Sequence, residues 1–208
     1  MTRAFYLQDA ELTAPKLLGK RLVHETPEGI TAGMIVEVEA YIGPEDKGAH
    51  SYMGRRTSRT EIQFGPGGFA YIFSIYGMHC CFNVVTNAVE KPDVVLVRAL
   101  EPIEGIEIMK ERRRCENVIS LCNGPGKLCE ALDITKAQYG ADLCTSHLYL
   151  EEYKNITAEQ IMVSPRINID YAEEYKDRLW RYYIKDNPCV SVIPKKYRDK
   201  CLPYLQNE

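Results

Sequence analysis

Over residues 30–42 apolar and polar side chains alternate. Val36, Val38, Ala40 and Ile42 fall on one side of an extended chain, and Glu37, Glu39 and Tyr41 on the other. This spacing predicts a long strand with one face in the core and a carboxylate face turned to solvent or to a cleft. Two more strands, over 69–76 and 79–86, would meet at Gly77, and the apolar run over 93–99 predicts another. The Leu and Ala positions of residues 8–18 predict a short helix. Helices are also expected over 104–114 and, behind Gly124-Pro125, over 126–133. The last third offers short strands at LYLEE, WRYYI and CVSVI. Between 43 and 67, Gly43, Pro44, Gly48, Gly54, Gly65, Pro66 and Gly67 break every pattern and predict an extended loop. Loops of that length in a compact domain usually carry function. Strands joined by tight turns, with helices between them, predict an α+β fold. The expectation is a single domain over 1–208, with a curved, mainly antiparallel sheet surrounded by short helices and long loops.

Length and composition agree with this picture. A chain of 208 residues, 45% hydrophobic and 26% charged, can bury its own core. No apolar run reaches the length of a spanning helix, and the N-terminus has no apolar stretch of signal-peptide length. A cytoplasmic protein without membrane contacts is expected. The eight cysteines show no metal-knuckle or redox spacing, so they are expected as reduced thiols, with no metal and no cofactor. The net charge of −3 is unevenly spread. Arg55, Arg56 and Arg59 cluster, as do Lys110, Arg112, Arg113 and Arg114, whereas Glu151, Glu152, Glu173 and Glu174 crowd the last third. That distribution predicts a basic face and an acidic back.

Five places hold candidate chemistry. The strand bearing Glu37, Glu39 and Tyr41 runs into the loop bearing His50 and the arginine cluster. The aromatic run of residues 69–77 reads either as strand core or as a stacking surface for flat bases, with Tyr76 at a turn tip. Asn83, among Cys, Phe and Val, needs a partner if buried, or reads a base edge. Arg98 ends an apolar strand, so a structural or catalytic carboxylate should lie beside it. The stretch Asn123-Gly124-Pro125-Gly126-Lys127 reads as a helix start with free amides but lacks the residues of a Walker loop.

Taken together, these segments resemble one family. The resemblance covers residues 35–46 through His50, Tyr71 to Asn83, Val97-Arg98-Ala99-Leu100-Glu101-Pro102, Gly124-Pro125-Gly126-Lys127-Leu128-Cys129 and residues 188–192. In order and spacing they are similar to the alkyladenine or 3-methyladenine DNA glycosylases of the human-type fold. The resemblance implies a monofunctional DNA glycosylase of base excision repair. Such an enzyme flips alkylated or deaminated purines (the 3-methyladenine, 7-methylguanine and hypoxanthine class) out of double-stranded DNA and hydrolyses them from their sugar.

The resemblance also implies roles. Glu39 would be the general base and Arg98 would help hold the attacking water. Tyr41, His50 and Phe73 would flank the flipped base, with Phe73 lacking the hydroxyl of many relatives. Asn83 would disfavour the extra amino group of guanine. Tyr76 would be the wedge that fills the vacated stack, and Ile167 would offer its backbone carbonyl to the water. Arg55, Arg56, Arg59 and Lys127 are left to meet the DNA backbone. A monomer is expected, since one domain suffices for one lesion. Three other readings compete. Lys127 could be an amine nucleophile of a lyase-active enzyme, Glu37 and Glu39 could be a glycoside-hydrolase pair, or the chain could bind damage without turnover.

Overall fold

The computed structural model describes residues 1–75 and 77–204. Nine strands among them form one antiparallel sheet: β1 (Arg21–Thr26), β2 (Gly29–Tyr41), β3 (Ala70–Ile75), β4 (His79–Thr86), β5 (Asp93–Glu104), β6 (Leu148–Glu151), β7 (Ile161–Ser164), β8 (Arg181–Ile184) and β9 (Leu202–Pro203). Short helices cover it: α1 (Arg3–Tyr6), α2 (Ala10–Leu17), α3 (Ile106–Arg113), α4 (Val118–Leu121) and α5 (Pro125–Ala131). The architecture is α+β. No helix among the described residues is long and apolar enough to cross a membrane.

The order β3-β4-β5-β2-β8-β7-β9 places β2 at the centre. The sheet forks along it. The first half of β2 pairs with β1, which carries β6, and residues Glu37 to Glu39 pair with β8. On its other edge β2 pairs with β5 along most of its length. The β2–β5 register shifts on both sides of Glu37, which leaves Val36 and Arg98 outside the ladder. Such irregularities re-aim side chains near functional sites. Ile35, Val36, Val38 and Ala40 are fully buried among Leu17, Phe82, Leu100 and Leu128.

Local signals explain the helices. Asp9 caps α2 by accepting from the Leu12 amide at 2.8 Å. Pro125 opens α5 at a position where its missing N–H leaves nothing unsatisfied. Gly105, at φ 70°, starts α3 where a Cβ would meet the Ile30 carbonyl oxygen at 2.3 Å. Two expectations change. The strand expected over 93–99 runs on to Glu104, because Pro102 falls at a register shift where no ladder donor is needed. CVSVI forms no strand: the Ser191 amide is turned into the core to meet Glu37, and the Cys189 amide binds Asn187 Oδ1.

Candidate active site

Glu37 and Glu39 share one face of β2, and both are fully buried at 0% exposure. The open-solvent alternative for that face therefore falls. With β5 on one edge and β8 on the other, this half of β2 lies inside the sheet. Buried carboxylates need compensating charge and hydrogen bonds. Glu37 Oε1 accepts from Arg98 Nε at 2.9 Å, Arg181 Nε at 2.7 Å and the Ser191 hydroxyl at 2.9 Å. Its Oε2 accepts from the Ser191 amide at 2.7 Å. Burial works to raise the Glu37 pKa, but the two guanidinium groups and the Ser191 amide outweigh it and hold the carboxyl below its ordinary range.

Glu39 is held differently. Oε1 accepts from the Ile167 amide at 2.7 Å and Oε2 from the Tyr41 hydroxyl at 2.8 Å. Arg98 Nη1 lies 3.4 Å from Oε1. Each oxygen thus takes one strong hydrogen bond and keeps a second acceptor position. Ile167 meets Glu39 through its amide, a contact that the carbonyl role expected of this residue had not included. Arg98 bridges the two carboxylates. Burial opposes its charge, but Glu39 and Glu37 more than offset that and raise its pKa.

The three partners of Glu39, namely Tyr41, Arg98 and Ile167, all line a cavity of about 490 Å³, and Glu39 stands behind that wall. His50, Tyr71, Phe73 and Asn83 line it too. The His50 and Phe73 rings meet edge-on with centroids 4.6 Å apart, and Tyr71 lies 5.5 Å from Phe73. Arg166 stacks over Tyr41 at 4.5 Å. Asn83 is oriented by donating from Nδ2 to the carbonyls of Tyr71 at 3.0 Å and Cys81 at 3.4 Å. Burial, followed by the charges of Arg59 and Arg55, lowers the His50 pKa to about 4. Tyr76 lies outside the described residues.

Several residues of this site carried no signal in the sequence. Asp46 and Arg166, both fully buried, form a two-pronged ion pair, with Arg166 Nη2 2.8 Å from Asp46 Oδ1. Arg166 also donates to the Ala40 carbonyl at 3.0 Å, and Asp46 accepts from the Gly48 amide at 2.8 Å. This pair ties the end of β2 to the loop that presents His50. Gln63 lines the cavity with its Nε2 buried and unpartnered among the described residues. Only Asp46 could have been suspected beforehand, as part of the segment that carries the resemblance.

The basic cluster divides. Arg56 binds Glu61 and Glu90 at 2.7 and 2.8 Å. Arg59 turns to the cavity, where it meets His50 and lies over Phe73 at 4.9 Å. Arg55 is exposed, and no carboxylate pairs with it among the described residues. Lys127 binds Asn123 Oδ1 at 2.6 Å and does not line the cavity, which removes the support for an amine nucleophile. Glu37, with every contact committed inside the sheet, is not half of a glycoside-hydrolase pair. Among the described residues no group of three His, Cys, Asp or Glu could hold a metal ion.

Comparison with known proteins meets this geometry. The family described as Methylpurine-DNA glycosylase (MPG) matches residues 4–188. A protein of Clostridium acetobutylicum is 52% identical over 94% of this chain and 98% of its own length. One from Desulfitobacterium hafniense is 48% identical over 91% and 97%, and one from Bacillus cereus 50% identical over 90% and 97%. Each bears the name "Putative 3-methyladenine DNA glycosylase". With nearly its whole length matched, and a buried carboxylate behind an aromatic cavity, the chain belongs to the methylpurine-DNA glycosylase family and is a DNA N-glycosylase of DNA repair.

Proposed function

We propose that this glycosylase flips alkylated or deaminated purines out of duplex DNA into the cavity. There it hydrolyses the N-glycosidic bond with a water activated by Glu39, leaving an abasic site. The substrates are of the 3-methyladenine, 7-methylguanine and hypoxanthine class, and the name borne by the relatives puts 3-methyladenine first among those to test. The observation that carries the reading is that all three groups holding Glu39 also line the cavity. A base seated there lies one layer from the Glu39 side chain, whose oxygens each keep an acceptor position.

The chemistry follows in steps. Extrusion of a base costs a few kcal/mol, least for a damaged one. A purine alkylated at N3 or N7 is cationic, so the rings of Tyr41 and Phe73 attract it. Its charge also makes it a good leaving group. What the protein must supply is an oriented water and a base, and Glu39 is the base. Arg98, fixed by Glu37, steadies the Glu39 carboxylate and the water beside it. A neutral lesion such as hypoxanthine must be protonated as it leaves, and is selected by shape and by Asn83. Tyr76 is the wedge, Arg55 and Lys127 meet the backbone, and the protein acts as a monomer.

The test uses the purified protein with a chelator, methylated DNA and a duplex bearing one hypoxanthine, with Glu39→Gln in parallel. Wild type should release the damaged base and leave alkali-sensitive sites, and Glu39→Gln should bind the lesion without release. Release surviving in Glu39→Gln would move the base elsewhere. No release of either lesion by wild type would reject this substrate class.

A further inference from the structure

We propose that Gln63 is a specificity-determining residue of the base slot, whose carboxamide N–H takes the exocyclic oxygen of a flipped 6-oxopurine such as hypoxanthine. The inference rests on the reading of the cavity as the base site and adds the kind of base edge that the site favours. Gln63 lies on the short turn Glu61–Phe64. That turn is pinned on both sides. The Ile62 amide donates to the Tyr139 hydroxyl at 3.2 Å, and the Phe64 carbonyl accepts from the Glu90 amide at 2.9 Å. The Gln63 amide itself donates to the Thr60 carbonyl at 2.9 Å. From this held backbone the side chain reaches inward, for Gln63 is 1% exposed and lines the cavity. Its Nε2 is enclosed and has no hydrogen-bond partner among the described residues.

A buried N–H without an acceptor is rare in folded proteins and costs more than an under-used carbonyl. Tyr71 is the polar neighbour. Burial raises its phenol to about 12, with Arg59 and Gln63 working against burial, which locates the carboxamide by the hydroxyl end of that ring. The hydroxyl, however, is engaged with His50 Nδ1 at 2.8 Å. The end torsion of a glutamine side chain is broad, so a small turn brings Nε2 to a base seated in the cavity. A 6-oxopurine supplies the missing acceptor. A 6-aminopurine such as 3-methyladenine supplies a donor, which only Oε1 can meet, and Nε2 then stays unpaired. A site built around one polar group discriminates against a ligand without its complement, because the protein group is left stranded.

The test compares single-turnover release of hypoxanthine and of 3-methyladenine by wild type and Gln63→Met, with urea unfolding of both proteins. Methionine keeps the length and bulk of the side chain and removes its N–H groups. Hypoxanthine release, taken as rate over half-saturating concentration, should fall about tenfold or more. Release of 3-methyladenine should stay within about threefold of wild type. Removing a stranded donor from a buried site does not weaken a fold, so the urea midpoint of Gln63→Met should equal or exceed that of wild type. A lower midpoint with both bases affected alike would make Gln63 a structural residue and overturn the proposal. So would unchanged hypoxanthine release in Gln63→Met, an equal loss for the two bases, or a wild type that releases 3-methyladenine and no hypoxanthine. Wild type releasing neither base would reject the cavity reading and the proposal with it, and that failure shows before any variant is measured.

Discussion

Arg98 donates from Nε to Glu37 Oε1 at 2.9 Å, and this contact sets where its Nη1 falls, 3.4 Å from Glu39 Oε1. The two carboxylates on one face of β2 therefore do different work. Glu37 takes four hydrogen bonds from Arg98, Arg181 and Ser191, and is turned to them inside the sheet rather than to the cavity. Glu39 keeps acceptor capacity at both oxygens and stands behind the cavity wall. One acid orients the arginine that accompanies the other.

Glu37→Gln should destabilise the fold more than Glu39→Gln does. Removing the Glu37 charge leaves two buried guanidinium groups with one remaining carboxylate between them, whereas Glu39→Gln leaves Arg98 still paired. Breaking a buried pair on one side costs about 3–5 kcal/mol. Urea unfolding of both variants measures this, and equal midpoints would mean that Glu37 does not hold the network.

Tyr41→Phe should separate chemistry from stacking. The ring stays under Arg166, while the hydroxyl that donates to Glu39 Oε2 at 2.8 Å is lost. Loss of a hydrogen bond to a charged group is worth about 1.5–3 kcal/mol. Single-turnover base release should therefore slow roughly ten- to a hundredfold, with lesion binding near wild type. A variant that releases base at the wild-type rate would show that this hydroxyl does not tune the carboxylate.

Much of this site was legible in the sequence, for identifiable reasons. The alternation along β2 marked Val36, Val38 and Ala40 as core and put Glu37 and Glu39 together. It could not show that both faces are buried, because the groups that neutralise Glu37 come from 61, 144 and 154 residues away. CVSVI has strand composition, yet its backbone turns inward to a carboxylate, a tertiary demand that local pattern does not record. The cluster Arg55, Arg56 and Arg59 looked uniform because adjacency is all that a sequence shows. Among the described residues one is free of carboxylates, one is paired with two, and one reaches the cavity.

The half-buried His50 and the buried Asp93 should oppose each other in the pH dependence of stability. His50 is lowered to about 4 from 6.5, so between those values the unfolded chain binds more protons and stability falls as pH falls. Asp93, which accepts from the Ala10 amide and Asn87, is raised by burial to about 6 from 3.8. Over its window the folded chain binds more protons, and stability rises as pH falls. Between about pH 6 and 4 the two slopes offset each other. Asp93→Asn should expose the His50 slope, so that its urea midpoint drops more steeply than that of wild type on acidification from pH 6.5 to 4. Parallel curves would show that Asp93 does not titrate in this range.

The arginine cluster predicts which cation meets DNA. Arg56 is held by Glu61 and Glu90, and those two acids repel the phosphate that Arg56 would attract. Exposed ion pairs are individually weak, worth about 0–1 kcal/mol, so electrostatic cancellation matters here more than the pairing itself. Arg55 has no such partner among the described residues. Each phosphate contact contributes about 0.9 to the slope of log affinity against log salt on duplex DNA. Arg55→Gln should weaken duplex binding at low salt and flatten that slope by about 0.9, in anisotropy titrations across potassium chloride concentrations. Arg56→Gln should change neither by much. Removing both acids (Glu61→Gln with Glu90→Gln) should free Arg56, tighten binding and steepen the slope by about the same amount. If Arg56→Gln flattened the slope while Arg55→Gln did not, the backbone contact would belong to Arg56, and its carboxylate partners would have to yield to the DNA.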